Sequence, residues 1–268
     1  TQIKRIAKNN GQRTLKPLSP KTILEHHRLI SAMLQNAVYW QLLPSNPARR
    51  VKSPKTKKPK MKFFNDDECK FLIQSLMDLT GSKLKYKVAI LLDIFSGVRR
   101  GELIGLEWSD VDFKNRKIKI QRSASEVAKQ GFVIGEPKTK SGHREIPLTK
   151  EAVNILYSQK KKNSQNKIIP IQYADYIFLN KNGNLIQKSA YNQGIYAICN
   201  RLGMRKFSIH LLRHTFATRC IESGMRPKTL QAILGHSKIE MTMNLYVHVT
   251  DESKLEEIEA IEKNLKLV

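Results

Sequence analysis

Acid is scarce in this chain. Its 268 residues hold 23 Asp and Glu against 48 Lys and Arg, a formal net charge of +25. Solubility needs far less, and the excess points to a polyanionic partner, because each neutralised phosphate releases condensed counterions. Long apolar runs are missing too. None approaches the ~20 residues that span a bilayer, and the basic start, Thr1 to Arg13, is followed by no apolar segment of the kind a secretory signal carries. Nucleic acid is therefore favoured over a membrane, and no membrane partner is expected. Cysteine is rare: Cys69, Cys199 and Cys220 are odd in number and form no C-x-x-C pair. That argues against a disulfide framework or a zinc site and for a reducing cytoplasm. No G-x-x-x-x-G-K-[ST] run is present to hold ATP, and no internal repeat is evident.

What is there falls into an ordered series of apolar-patterned segments. Ser19-Pro20 reads as an N-cap with Pro at the first helical position. Ile23, His27, Ile30, Leu34, Ala37 and Val38 continue at helical spacing until the pattern stops before Pro44. The stretch from Asn46 to Lys60 has three prolines and no acid, and is expected to be an extended basic connection suited to a phosphate backbone. Asn65-Asp66-Asp67-Glu68 has the form of a capping box, with Phe71, Leu72, Leu76 and Leu79 behind it. A second apolar helix is expected from Tyr86 to Phe95. Lys117-Ile118-Lys119-Ile120 alternates as a half-buried strand does. Further strands are expected near Phe132–Ile134 and Arg144–Leu148, with the tight turn Lys138–His143 between them. Helices follow over Lys150–Lys161, Ser189–Leu202, Ile209–Ser223 and Pro227–Leu234, the last two closed by Gly224 and Gly235. From Asp251 to Val268 the charge reverses, with six acids against three lysines and an apolar stripe of Leu255, Ile258, Ile261 and Leu265. DNA would repel such a helix, so docking on protein is expected.

Two clusters of residues suggest chemistry on phosphate. His210 and Arg213 are three apart and share a helix face. Arg grips phosphate oxygens through paired hydrogen bonds, and Gly235-His236 and Tyr246 follow. Arg99 lies between Gly97 and Gly101 at a turn into a helix, with Glu102 on the same face able to hold its guanidinium. Alone, that pair would be an ordinary surface ion pair worth under ~1 kcal/mol. His210 and His214 have the four-residue spacing of metal ligands. Leu211, however, stands where a general-base Glu would be and no acidic ligand is near in sequence, so metal is not expected.

Together these motifs resemble the phage-type tyrosine recombinase family. The resemblance rests on Ser96-Gly97-Val98-Arg99-Arg100-Gly101-Glu102-Leu103, Pro137-Lys138-Thr139-Lys140-Ser141, Arg144-Glu145-Ile146-Pro147-Leu148, His210-Leu211-Leu212-Arg213-His214-Thr215, Leu234-Gly235-His236-Ser237 and Tyr246-Val247-His248, in the family's order. It covers the chain from about Asn65 onward. Leu18 to Pro47 also resembles the second half of that family's core-binding domain, so the chain looks like a fragment whose N-terminal region continues upstream, without an arm-site domain. The resemblance implies a mainly α fold with a small antiparallel β-sheet: a partial helical core-binding domain (1–51), a basic linker (52–63) and an α+β catalytic domain (64–268) that includes the 251–268 helix.

By the same resemblance Tyr246 attacks the scissile phosphate to give a 3′-phosphotyrosyl link, and Arg99 and Arg213 hold the non-bridging oxygens. Lys138, at the tip of a hairpin, protonates the leaving 5′-oxygen, with Lys140 as the alternative. His210 accepts a proton or binds the phosphate, His236 donates to it, and no metal or other cofactor is required. Lys21, Arg28, Arg49, Arg50, Lys52, Lys55, Lys57 and Lys58 are candidate DNA contacts. The implied partner is double-stranded DNA, bound by a homo-tetramer on two sites with the C-terminal helix packed in trans, in a bacterial cytoplasm. The implied activity is integration or excision of a mobile element. A type IB topoisomerase and a non-catalytic DNA-binding protein of the same fold are the alternatives.

Overall fold

The computed structural model describes residues 4–9, 12–56, 62–78, 86–128, 130–137, 139–165 and 169–250, with side chains of 4–16 and 248–250 left aside. Lys57, Lys58, Lys138 and the expected helix over 251–268 therefore lie outside the described residues. The chain divides into two units, Thr1–Lys60 and Met61–Val268.

The first unit opens with a feature the helical expectation did not include, an antiparallel pair of strands. These are β1 (Lys4–Asn9) and β2 (Gln12–Pro17), in register from Lys4 opposite Pro17 to Asn9 opposite Gln12. The sequence signal was the Asn10-Gly11 dipeptide between them, favoured in two-residue hairpin loops. Helix α1 (Pro20–Tyr39) begins as expected, the Ser19 hydroxyl accepting from the Thr22 amide at 3.1 Å. Asn46 to Arg50 is not extended, which corrects the expectation of an extended connection starting at Asn46. Asn46 is an N-cap whose Oδ1 accepts from the Ala48 amide at 3.0 Å, and Pro47–Arg50 is one 3-10 turn. The turn is docked on α1: the Asn46 amide donates to the Ser31 carbonyl at 2.8 Å and the His27 ring meets the Ala48 carbonyl at 3.1 Å. A buried Asn with both ends of its amide satisfied outweighs the local preference of a Pro-rich basic run for extension.

In the second unit, α2 (Asp66–Asp78) starts on a reciprocal cap. The Glu68 amide donates to Asn65 Oδ1 at 2.8 Å while the Asn65 amide donates to the Glu68 carboxylate at 3.0 Å. Helix α3 (Lys87–Ser96) is buried nearly all round, with Ala89, Ile90, Leu91 and Leu92 inaccessible, as expected of a helix without a polar face. It ends at Gly97 and is followed by the short α4 (Arg100–Ile104). Strands β3 (Val111–Asp112), β4 (Lys117–Ile120) and β7 (Arg144–Pro147) form an antiparallel sheet in that order, and β5 (Ser123–Val127) pairs antiparallel with β6 (Gly131–Gly135). Ile118 and Ile120 point inward and Ile118 faces Ile146 across the pair, which is the register the alternation demands. Because β6 and β7 belong to different sheets, the 136–143 connection is not the tip of a hairpin, as the tight turn had suggested. It leads from one sheet to the other, and its described residues include a 3-10 turn, Lys140–Gly142.

Five further helices follow among the described residues: α5 (Lys150–Ser164), α6 (Lys188–Leu202), α7 (Ile209–Glu222), α8 (Pro227–Leu234) and α9 (Ile239–Thr250). Helix α3 packs on α5 and α7 at the centre of the main core. Ala217, Ile221, Leu230, Leu234 and Leu245 form a smaller second core between α7, α8 and α9. The architecture is mainly helical with small antiparallel sheets. Among the described residues no helix is long and apolar enough to cross a membrane.

Candidate active site

The site is built on the C-terminal end of α8. Gly235 stops this helix at a φ of +64°, leaving its last carbonyls without intrahelical partners at the negative end of the helix dipole. Three consecutive carbonyls each take one arginine. The Ile233 carbonyl accepts from Arg144 Nε at 2.6 Å, that of Leu234 from Arg213 Nη2 at 2.7 Å, and that of Gly235 from Arg99 Nη2 at 2.9 Å. A side chain at Gly235 would put a Cβ 2.8 Å from the Ser141 carbonyl and 2.9 Å from Arg144 Nη1, so both the turn and the close approach require glycine.

Glu102 closes the other side. It is 3% exposed and receives Arg99 Nη1 at 2.8 Å, the Arg99 amide at 2.9 Å, and both Nη atoms of Arg144 at 3.1 and 2.8 Å. Burial alone would raise its carboxyl, but Arg144 and Arg99 hold it below the ordinary value. It therefore stays ionised as the shared counter-charge of two guanidinium groups. Arg213, 8% exposed, also donates from Nη1 to the Gly97 carbonyl at 2.6 Å. Burial, then the charge of Arg99, pushes it down to about 9, still well above neutral pH, so the group remains a cation. Beneath it, fully buried Asp93 receives the Tyr191 hydroxyl at 3.3 Å, while its Oδ1 has no hydrogen-bond partner among the described residues. Burial raises its carboxyl well above the usual range, leaving Asp93 a poor counter-charge. Three arginines thus face one firmly ionised carboxylate, and the surplus positive charge is available to an anion.

The histidines sit around this charge in their neutral form. His236 is buried directly after Gly235 with Nδ1 at 2.9 Å from Thr242 Oγ1. Burial, then Arg213, Arg99 and Arg144, push it down to about 4. His210 stands exposed at the rim and is lowered by burial of its ring and by Arg213, Arg100 and Lys188. His214, one turn further along α7, is lowered by burial and by His210. A cleft of about 660 Å³ opens over the cluster, lined by Arg99, Glu102, His210, Gly235 and Ser237, with Pro137, Thr139 and Gly142 from the 136–143 segment. Lys138 itself is outside the described residues, while Lys140 is exposed on that segment.

Tyr246 is held elsewhere. Its ring packs against the second core, its hydroxyl donates to the Met225 carbonyl, and it is not among the residues lining the cleft. Burial raises its phenol above the ordinary value. Of the residues singled out from the sequence, Arg99, Glu102 and His210 line the cleft, Arg213 is bonded to the end of α8 with Arg99, His236 follows Gly235 there, and the Tyr246 hydroxyl is bonded to Met225. In the first unit, Lys21, Arg49, Arg50, Lys52 and Lys55 are exposed, and Arg28 pairs with Glu25 at 2.9 Å. Sequence reasoning missed Arg144, which looked like a strand residue. Its signals were its place in the Arg144-Glu145-Ile146-Pro147-Leu148 motif and a basic side chain opening a strand directly after the Lys138–His143 turn. It also missed Ser123, Lys188 and Asn192, polar residues that line the cleft from β5 and α6.

The profile of the phage integrase family matches residues 62–253. A XerC-like tyrosine recombinase of Caldanaerobacter subterraneus subsp. tengcongensis is 29% identical over 263 residues, covering 91% of this chain and 66% of that protein. The transposase from transposon Tn916 of Enterococcus faecalis is 35% identical over 212 residues, covering 76% of this chain and 52% of that protein. The chain thus spans between half and two thirds of the length of these curated relatives. The structure of the Tn1549 transposon integrase in complex with transposon right end DNA is similar with a TM-score of 0.75 and 32% identity, covering 91% of this chain and 80% of that one.

Proposed function

This chain belongs to the phage integrase family, and from that premise we propose that it is a site-specific recombinase that cuts and rejoins double-stranded DNA for the integration or excision of a mobile element. The observation that carries the proposal is the preformed surplus of positive charge, with Arg99, Arg144 and Arg213 fixed on the end of α8 and Arg99 and Arg144 also on Glu102. Such a site favours the transition state of phosphoryl transfer, where charge on the non-bridging oxygens grows and the fixed donors need no reorganisation. The DNA complexes of the Tn1549 integrase and the net charge of +25 support DNA as the partner.

In this mechanism the Tyr246 Oη–phosphorus bond forms as the bond from phosphorus to the 5′-oxygen breaks. Arg99 and Arg213 hold the non-bridging oxygens. His236, with Nδ1 taken up by Thr242 Oγ1 at 2.9 Å, would donate from Nε2, and neutral His210 accepts the tyrosine proton. Lys138, or Lys140 beside it, protonates the leaving oxygen. A free phenol is only about a thousandth ionised at pH 7, so Tyr246 is inert against the Met225 carbonyl and becomes a nucleophile inside the arginine field. Delivery of Tyr246 from the second core to the cleft is therefore the gate to cleavage. The energy of the broken bond is kept in the phosphotyrosine, so rejoining needs no ATP and no metal. Lys21, Arg28, Arg49, Arg50, Lys52, Lys55, Lys57 and Lys58 would follow the phosphate backbone. A partial core-binding domain (1–51), a basic linker (52–63) and a catalytic domain (64–268) would act as a tetramer on two DNA sites, with residues 251–268 packing on a neighbouring subunit.

The test is a nicked suicide duplex spanning the ends of the DNA element that carries the gene. Wild-type protein should form an SDS-resistant protein–DNA adduct in EDTA, and Tyr246→Phe should form none. Absence of an adduct with wild type would sink the strand-transfer reading, and an adduct that requires Zn²⁺ or Mg²⁺ would sink its metal-free form.

A further inference from the structure

Strand transfer as proposed above sets Arg99, Lys138, His210, Arg213, His236 and Tyr246 on the reacting groups and gives Arg144 only a share in the fixed charge. Yet Arg144 is the side chain on which the cluster converges. It is 6% exposed, opens β7 immediately after the 136–143 segment, and reaches three parts of the chain far apart in sequence. Nη1 and Nη2 fork onto the two oxygens of Glu102 at 3.1 and 2.8 Å, on α4. Nε meets the Ile233 carbonyl at 2.6 Å, on α8. Nη1 also reaches the Gly142 carbonyl at 3.0 Å, within the 136–143 segment. Within it, residues 139–142 form a tight turn: the Gly142 amide donates to the Thr139 carbonyl at 2.8 Å, and Gly142 leaves no room for a side chain against Pro137. Ser141 and Arg144 in turn leave no room for a side chain at Gly235.

We propose that Arg144 is a positioning residue for strand transfer. It ties the 136–143 segment, which carries both candidate proton donors Lys138 and Lys140, to Glu102 and to the end of α8. Proton donor, phosphate clamp and His236 are thereby kept in one register. The chemistry of the side chain supports this assignment. A planar guanidinium supplies donors in three fixed directions at once, whereas a lysine at the same place is a point charge that cannot hold the carboxylate fork and the Ile233 carbonyl together. A purely electrostatic role would need only the charge. The three-way geometry is what a tie between elements requires, because a displacement near 1 Å of a catalytic group is costly.

The proposal rests on the strand-transfer reading, and its test separates the two. Arg144→Lys in the full chain is assayed on two suicide duplexes, one ordinary and one with sulfur in place of the 5′-bridging oxygen. The sulfur leaves as a thiolate and needs no proton. Arg144→Lys should cleave the ordinary duplex on the order of 100-fold more slowly, with DNA affinity unchanged, and should recover most of the lost rate on the sulfur duplex. Equal slowing on both duplexes, or slowing on neither, would overturn the tie to the proton donor. Lys138→Ala and Lys140→Ala run alongside: rescue of one of them by sulfur identifies the donor. Rescue of neither removes the donor assignment from the mechanism and leaves Arg144 to be judged by hydrogen exchange. There, Arg144→Lys should speed exchange of the 139–143 and 233–236 amides at an unchanged global unfolding midpoint. Wild-type protection at both segments would overturn the proposal without reference to activity. If Arg144→Lys does not fold, Arg144→Gln, which leaves Glu102 paired with Arg99, takes its place in both measurements.

Discussion

The two units of this protein are both rich in arginine and lysine, but they hold their charge in opposite ways. In the second unit Arg99, Arg144 and Arg213 are anchored on three successive carbonyls of one helix end, and Arg99 and Arg144 share one buried carboxylate. In the first unit Lys21, Arg49, Arg50, Lys52 and Lys55 stand in solvent, no residue of α1 is buried, and Arg28 pairs with exposed Glu25. Fixed charge is ready to meet a transition state because it has nothing left to reorganise. Solvated charge attracts a polyanion at long range by releasing counterions, with little geometric demand. The same residue types therefore do different work according to what their far ends are bonded to.

The largest effect should come from removing an anchored charge. Arg213→Ala is expected to slow adduct formation roughly 100- to 1,000-fold, measured on the suicide duplex, with little change in the salt dependence of DNA binding. A loss of affinity without a loss of rate would place Arg213 with the solvated bases instead. Next in size is a pH effect confined to the anchored cluster. His236 is held at about 4 against an ordinary 6.5, so the unfolded chain takes up a proton first as pH falls. Stability should be full above pH 6.5 and should decline toward pH 4, by up to roughly 3 kcal/mol. Denaturant unfolding of His236→Gln should show a flatter profile over that window, and a slope equal to wild type would contradict the burial and charge assigned to His236.

A smaller contrast lies between two glycines that each follow a helix with positive φ. Gly235→Ala must fit a Cβ against Ser141 and Arg144, whereas Gly224→Ala meets nothing within 4 Å. Both substitutions carry the backbone penalty of about 1 kcal/mol, and Gly235→Ala should cost about 1–2 kcal/mol more in denaturant unfolding. Equal losses would mean that the 136–143 segment yields freely. The smallest effect is expected in the first unit. Arg49→Gln should weaken DNA binding a few-fold regardless of sequence and lower the salt-dependence slope by about one, with the cleavage rate of bound DNA unchanged.

Much of this fold could be read from residue types. The caps at Ser19 and Asn65, the alternation of Ile118 and Ile120 and the helix stop at Gly235 are local rules, and each sits where the pattern put it. The β1–β2 pair was missed because its strands are basic and polar, so only Asn10-Gly11 marked it. The docked turn at Pro47–Arg50 was missed because one buried hydrogen-bonded Asn overrode a linker-like composition.

For the site, the chemical types at Arg99, Glu102, His210, Arg213, His236 and Tyr246 were determined by the sequence alone, since only particular side chains can grip an anion, move a proton or act as a nucleophile. Tertiary structure decided how they are held. Backbone carbonyls are the same whatever the residue, so nothing in the letters Ile233-Leu234-Gly235 announces that three arginines will end there. Those arginines arrive from 89, 21 and 136 positions away. Only packing of α8 against its neighbours brings them to one point, and only packing of α9 on the second core turns the Tyr246 hydroxyl to Met225.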